Sequence, residues 1–399
     1  MIPMLPPLSG VATSQSTLDN VQAQSGAVVS GQTLNVVDVS NSTVGTTTAT
    51  GNAVSGAVET GSLAVQSSQS LTAPVSATTT LNVTTNAGAQ TSIATAATGN
   101  TGDVGSYGGG ALTGTVTQTI GAGGSVTGLN VINATNAQTG AISASVQAIG
   151  NSQGIAVSDT SATMSVNQAN AGATMATGGV SLMYTPGAAV SSATSVSNNI
   201  TGTGTGNASQ TLTLSQTASG GSTAEQDAYL GNGQSITGAA TATGNNTSVS
   251  NTNGGLSVVE TQSNTGYVQA QAQVSGYEFG SGEADAYAVG NSALVGNYGP
   301  SLSLTSTQNN TGNGASAVAS YSGANGYDAY SSATVMGNAV TGFACSDCNG
   351  TLAVTNSQTN SVALSATSQI DVAASNRSVT GTATAVGNNA TFYVSKPSH

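Results

Sequence analysis

Residues Gly381–Asn389, with the sequence GTATAVGNN, contain the pattern from which the fold of this chain can be predicted. It alternates small residues and ends on Gly-Asn, and the same phrase returns through the sequence at intervals of about 48 residues. Side chains of a β-strand point to opposite faces in turn, so the alternation predicts a strand with Ala383 and Ala385 inside and a closing turn at Gly387-Asn388. The repeat turn markers are Asn52, Asn100, Asn151, Asn198, Asn245, Asn291, Asn338 and Asn388.

A glutamine follows six of the eight markers at a nearly constant distance and forms a second landmark of the repeat. Two apolar residues on one strand face precede it, as Leu256 and Val258 precede Gln262. In the second unit we assign this strand to Leu129 and Val131. The landmark glutamines of the other units are Gln69, Gln168, Gln216, Gln262, Gln308 and Gln358.

The unit that ends at Asn291 shows the local pattern best. Apolar residues alternate with polar ones over 268–274 and again over 284–288, and glycine-containing segments at 264–266 and 280–282 suit tight turns. Each unit therefore predicts three or four short strands that cannot bury an apolar face alone but can do so when units stack. We expect an all-β fold, a β-solenoid (β-helix) of about eight imperfect repeats of about 48 residues, with stacked Gln and Asn ladders.

The sequence leaves the size of a coil open. Each unit is either one wide coil or two coils of about 24 residues, which gives a rod of roughly 40 Å or 80 Å. Residues 1–30 contain prolines and are out of frame, so we assign them to an N-terminal cap or tail, 31–390 to the solenoid, and 391–399 to its C-terminal end. A string of small β-sandwich domains and a disordered chain are the alternatives.

The composition excludes several classes of protein. The chain has 399 residues and a net charge of −12, with only two Lys and Arg residues, so it lacks the basic surface that a nucleic-acid partner requires. Three Phe and no Trp cannot fill the core of a large globular domain. The scarcity of lysine also removes one usual block to edge-to-edge strand pairing, which favours self-association. The apolar start has no basic segment and is a poor secretory signal.

Few residues are suited to catalysis or metal binding. The only histidine is His399, the last residue, which argues against a nucleophile–histidine pair and a histidine metal site. Cys345 and Cys348 stand in a loop insertion and form a candidate disulfide rather than a zinc or redox motif. Glu283 and Asp285 belong to the densest acidic group, which we interpret as solubilising charge on a wet strand face. We therefore expect no enzyme activity, no cofactor and no metal, and keep a polysaccharide-degrading β-helix as an alternative.

Tyrosines gather late in the chain and form a candidate ligand face. Exposed tyrosine rings stack on sugar rings or contact a protein partner. The members of this candidate face are Tyr267, Tyr277, Tyr287, Tyr298, Tyr321, Tyr327 and Tyr330.

Two phrases resemble known surface proteins. The segments 385–390 (AVGNNA) and 358–360 (QTN) are similar to the Gln- and Asn-containing repeats of curli-type fibre subunits. The longer repeat, low charge and size resemble more closely the holdfast anchor protein D family of stalked bacteria, over residues 30–390. This resemblance implies a non-enzymatic, outer-membrane-associated cell-surface protein that ties an extracellular polysaccharide holdfast to the cell. It also implies a curlin-like anchor protein and an outer-membrane secretion partner. A curli-like amyloid fibre subunit is a further alternative.

Overall fold

The structure, a computed structural model, describes residues 15–345 and 350–395. These residues are almost entirely β-strand, and among them no helix is long and apolar enough to cross a membrane. The strands are β1 (Gln15–Gln24), β2 (Val28–Asp38), β3 (Ser42–Val58), β4 (Ser62–Leu71), β5 (Pro74–Asn86), β6 (Gln90–Tyr107), β7 (Ala111–Ile120), β8 (Ser125–Gln138), β9 (Ala141–Ser158), β10 (Ser161–Asn170), β11 (Ala173–Thr205), β12 (Ser209–Ala218), β13 (Ser222–Asn251), β14 (Gly255–Asn264), β15 (Val268–Asn297), β16 (Ser301–Asn310), β17 (Ala315–Cys345), β18 (Thr351–Asn360) and β19 (Leu364–Ser395).

Each repeat makes one full coil of a β-solenoid. Gln15 of β1 lies beside Ser62 of β4, and the same parallel pairing continues through β7, β10, β12, β14, β16 and β18 to make an 8-stranded sheet. Since a strand follows its neighbour at about 4.8 Å, the eight coils span roughly 34 Å between the first and last strands. The structure thus confirms the solenoid and selects one wide coil per repeat.

A second, 11-stranded sheet closes the other side of every coil. In the first three coils it has two arms, β2-β5-β8 and β3-β6-β9. From β11 onward a single strand of 30 to 33 residues runs along both arms. The turn expected at 264–266 is present between β14 and β15, but the one expected at 280–282 is not, because β15 bends there without ending.

The interior is a pair of thin apolar columns. One lies between the two arms and is rich in alanine and valine; the other lies between the second arm and the short-strand sheet. The positions of Ala383 and Ala385 belong to the first column, since Ala333 and Val335 beside them are buried. Small side chains fit because facing strands approach closely across a flat coil.

The repeat markers are not turns, which corrects the sequence assignment. Asn52 lies inside β3, and the other marker asparagines also lie inside strands. Gly150 and Asn151 are both buried, so the alternation of inward and outward residues changes phase at this point. The strand bends there because two consecutive residues face the interior.

The stack begins earlier than expected. Residues 15–30, assigned to a cap or tail, form β1 and the start of β2, which pair in register with β4 and β5. Their side chains alternate as in the later strands, but no Gly-Asn phrase marks this part of the chain. At the other end, 391–395 continue β19.

Candidate functional site

A ladder of buried asparagine amides runs the length of the solenoid. In each step Nδ2 of one marker donates to Oδ1 of the marker in the next coil, at 2.7 to 2.8 Å. The same Nδ2 also donates to a carbonyl near the end of the short strand, as Asn198 does to Thr217 O at 2.9 Å. The seven markers from Asn52 to Asn338 thus tie the second arm to the short-strand sheet.

A glutamine ladder runs beside it with the opposite polarity. Nε2 of Gln69 donates to Oε1 of Gln22, and each later glutamine donates back to the previous coil in the same way. Gln118 supplies the rung of the second unit. The assignment of that strand to Leu129 and Val131 was wrong, because these residues lie in β8 of the other sheet. The spacing of Gln118 from its marker was the signal that would have placed it.

The structure does not gather the candidate tyrosines on one face. Tyr321 is fully buried and packs edge-on against Phe279, with 5.3 Å between ring centroids, so it cannot line a surface. Its position alternates in phase with the inward alanines of β17. Burial raises the pKa of Tyr321. Tyr327 is 51% exposed and lies beneath the Arg377 guanidinium, 5.2 Å from its ring centroid, and Arg377 pairs with Asp328.

One of the candidates, Tyr277, lines an outward cleft that crosses four coils. Tyr229 and Tyr277 stand at one end, 39% and 58% exposed, and the Asp371 carboxyl stands at the other. Ser275 and Ser322 lie in line between Tyr229 and Asp371, since the four residues occupy one register position. The cleft has a volume of about 420 Å³ and offers ring faces, hydroxyls and a carboxylate together. We call it the tyrosine cleft.

The backbone that forms the floor of the tyrosine cleft lies close to the aromatic rings beneath it, because glycines there have no side chain. A Cβ on Gly323 would come within 2.6 Å of the Phe279 ring, and one on Gly276 within 3.0 Å of both Phe279 and Tyr321 Oη. Glycine at these two positions lets the buried rings approach the sheet backbone. The cleft is therefore built by the interior as well as by the surface.

Other surface features are less suited to a ligand. A cleft of about 490 Å³ beside Asp103 has a single aromatic ring, Tyr107, which lies over Gly105 of its own strand. Tyr298, Phe343 and Tyr393 pack on one another at 5.2 and 5.7 Å between centroids, next to Cys345. Cys345 is disulfide-bonded, and Cys348 lies outside the described residues, as does His399.

The acidic pair does not have the geometry of a glycosidase. Partial burial, and then the neighbouring Glu283 carboxylate, raise the pKa of Asp285 to about 6. The two side chains are within hydrogen-bonding reach of each other, whereas the carboxyls of glycosidases stand at least about 5 Å apart to flank the bond. Within residues 15–345 and 350–395, no three His, Cys, Asp or Glu side chains come close enough to hold a metal ion.

One carboxyl lies inside the second column. Glu260 is 1% exposed; Ser306 Oγ donates to its Oε2 at 2.9 Å, and its Oε1 lacks a hydrogen bond. Burial raises the pKa of Glu260 to about 7, and the neighbouring Ser306 and Gln308 side chains oppose the shift only in part. The sequence alternation around residue 260 places an acid on the dry face of the strand.

A family model matches residues 37–314, from the end of β2 to the turn before β17. Its description is holdfast attachment protein D, and it covers more than half of the chain. The chain belongs to the holdfast attachment protein D family. No curated protein and no solved structure matches the chain. Tyr229 and Tyr277 lie within the part matched to holdfast attachment protein D, and Asp371 lies beyond it.

Membership of this family gives the chain a role in attaching the holdfast and a place at the cell surface or envelope. For a member of the holdfast attachment protein D family this is a structural role. The regular ladders and the thin core fit such a role, because they make a stiff rod from a sequence poor in large apolar residues.

Proposed function

We propose that this chain is a non-enzymatic surface anchor that binds the holdfast polysaccharide through the tyrosine cleft. Family membership is the observation that carries the attachment role. The cleft supports the choice of site, because two exposed rings can stack on sugar rings while Asp371 and the serine hydroxyls bond to sugar hydroxyls. Repetition along a polymer turns such weak contacts into firm attachment.

The charge of the chain restricts the polymer. With a net charge of −12 and two cationic side chains, the rod repels polyanions such as uronic-acid polymers. The polymer is therefore an uncharged or positively charged polysaccharide. The resemblance of the sequence to the holdfast anchor protein D family supports two partners, a curlin-like anchor protein and an outer-membrane secretion partner, and hence outer-membrane association.

The test removes the rings of the cleft. Tyr229→Ala with Tyr277→Ala should weaken binding of the purified protein to isolated holdfast by about fivefold per ring, since a ring contact contributes about 1 kcal/mol. Cells carrying the double variant should shed holdfast into the medium.

The matched control removes two tyrosines outside the cleft. Tyr267 and Tyr330 are 39% and 40% exposed, so Tyr267→Ala with Tyr330→Ala deletes similar surface. This control should bind as the wild type does. Equal binding by the cleft variant and the wild type would contradict the cleft as the site, and shedding by neither variant would contradict its role in cells.

A second assay separates the anchor from an enzyme. Incubating holdfast with the protein should release no new reducing ends, and Glu283→Gln with Asp285→Asn should leave binding unchanged. Reducing ends that appear with the wild type and vanish with these amides would replace the anchor by the hydrolase.

A further inference from the structure

Both ends of the coil stack are half-covered in the described structure. The inward apolar side chains of β1, β2 and the last coil are only partly buried, whereas Ala49 of β3 and the counterparts in the middle coils are buried. Those at the first coil include Leu18, Val28 and Leu34, and those at the last coil include Val354, Leu364 and Ile370.

The two amide ladders end on unused groups of defined polarity. Among the described residues, nothing accepts a hydrogen bond from Asn388 Nδ2 and nothing donates to Asn52 Oδ1. In the glutamine ladder the polarity is reversed, so Gln358 Oε1 lacks a donor, and Gln22 Nε2 donates only to Ala53 O at 2.8 Å. Each end thus carries one spare donor and one spare acceptor.

We propose that copies of this chain stack head to tail, with the first coil of one copy placed in register on the last coil of the next. Asn388 Nδ2 then donates to Asn52 Oδ1 of the added copy, and Gln22 Nε2 of that copy donates to Gln358 Oε1. Two copies meeting by the same end, with each ladder aligned on its counterpart, would place donor against donor in one ladder and acceptor against acceptor in the other. Head-to-tail stacking with each ladder continued pairs every spare donor with a spare acceptor.

The same register brings a third pair of polar residues together across the junction. Asn133 donates to Asn82 and Asn82 to Asn35, at 2.9 Å each, which leaves Asn35 Nδ2 as the last donor of a short outward ladder. The register position of Asn35 is that of Asp371 in the last coil. Asn35 of the added copy thus meets a carboxylate, which only accepts hydrogen bonds.

The apolar columns also continue across the junction. Leu18 belongs to the column that ends at Val354, and Leu34 to the column that ends at Ile370. The Asp19 carboxylate does not meet a like charge across the junction, because the residue at its register position in the last coil is Thr355. The first coil of a second copy therefore matches the last coil in outline, in the polarity of its amide ladders and in the positions of its apolar columns. A strand from an unrelated protein does not match all three.

The inference is independent of polysaccharide binding, and its tests contain no polysaccharide. Sedimentation velocity of the full chain should show monomers converting to longer species as concentration rises. Electron microscopy should show rods whose lengths are multiples of roughly 38 Å, the height of eight coils at about 4.8 Å each. Monomers at every concentration up to the solubility limit would overturn the proposal.

A charge exchange tests the register. Gln358→Lys places a donor against the Gln22 donor, and Gln22→Glu places an acceptor against the Gln358 acceptor, so each variant alone should associate at least about tenfold more weakly. A mixture of the two variants should regain association, because lysine then meets glutamate at every second junction. Thr305→Lys, with the same charge one coil inward, is the control and should assemble as the wild type does. A mixture no better than its components, or single variants that assemble normally, would overturn the proposal.

Cross-linking gives a readout if a charged variant fails to fold. Asp19→Cys with Thr355→Cys puts thiols on neighbouring strands of adjacent copies, within the reach of a disulfide. Oxidation should give a regular series of covalent multimers on a denaturing gel. Asp19→Cys with Thr305→Cys places the thiols two strand spacings apart, and should give none. Equal products from the two pairs, or none from the first pair, would contradict head-to-tail stacking.

Discussion

The marker asparagines stabilise the solenoid because each interior marker amide makes hydrogen bonds to three different residues. Asn198 accepts from Asn151 and donates both to Asn245 and to Thr217 O, and it is completely buried. Removing such a side chain leaves a donor and two acceptors unpaired in the interior. An unpaired buried group costs about 1 to 3 kcal/mol.

We expect Asn198→Ala to lower the free energy of unfolding by about 3 kcal/mol or more. Asn388→Ala is the matched control, because the last rung is exposed and loses only its bond from Asn338, so its cost should stay below about 1 kcal/mol. Thermal unfolding of dilute protein measures both. Similar costs for the two variants would mean that the ladder does not stabilise the middle of the rod.

Glu260 makes the stability of the rod depend on pH. The pKa of Glu260 is about 7 in the folded protein against an ordinary value of 4.5, so the folded protein holds the proton more tightly than the unfolded chain. Stability therefore falls as pH rises from about 4.5 and the loss is complete above about 7, where it amounts to about 3 kcal/mol.

Glu260→Gln should remove this dependence. The amide keeps the acceptor for Ser306 Oγ and carries no charge, so the variant should gain stability over the wild type between pH 4.5 and 7, and little below that range. Denaturant unfolding at a series of pH values gives the difference curve, in which the contribution of Asp285 cancels. Parallel curves for variant and wild type would contradict a titrating Glu260.

At the scale of the strand, the glycine before each marker allows the bend. A Cβ on Gly290 would come within 2.6 Å of Gly337 O in the next coil, too close for an L side chain without a backbone shift. Ser197 is the exception among these positions, and its buried Oγ has no hydrogen-bond partner. At this bend the larger residue, Ser197, is accommodated with a buried hydroxyl that has no hydrogen-bond partner.

Gly290→Ala should destabilise the protein by about 1 to 3 kcal/mol because two coils must move apart. Gly31→Ala is the control in a strand where a Cβ meets nothing within 4 Å, so it should be neutral or slightly stabilising. The thermal midpoints of the two variants give the comparison. Equal midpoints would show that the close approach at Gly290 carries no cost.

Strand boundaries were the part of each element that the sequence predicted least well. Alternation over 268–274 and 284–288 correctly indicated inward alanines, but the glycines at 280–282 predicted a turn where β15 continues. Glycine allows a bend and a turn equally, and the choice depends on what packs beneath. Here the buried ring of Tyr321 lies against Gly282, a contact between coils that local sequence cannot show.

At the scale of the whole molecule, the coils act as interchangeable units. Deleting residues 199–245, which form one full coil, joins Asn198 to Asn246 and keeps both ladders and sheets in register. We expect a folded rod that is shorter by about 4.8 Å. Small-angle scattering measures the length, and circular dichroism checks that the β content is retained.

Deleting residues 199–221, about half a coil, is the control for that prediction. It brings the short-strand residues of one coil against the long-strand residues of the next, so the register and both ladders are lost. This variant should unfold or aggregate. A folded half-coil deletion would contradict the one-coil repeat.

The repeat, the all-β class, the inward alternation of small residues and the stacked amides could be predicted from the sequence, because these follow from a period and from the two faces of a strand. The three-dimensional structure was needed to show that a repeat is one coil, that the markers bend strands instead of ending them, and that Tyr277 and Tyr229 share a cleft while Tyr321 is buried. Those features depend on which residues of neighbouring coils stand side by side. That register is set by the packing of the whole stack, where a residue meets partners about 48 positions away.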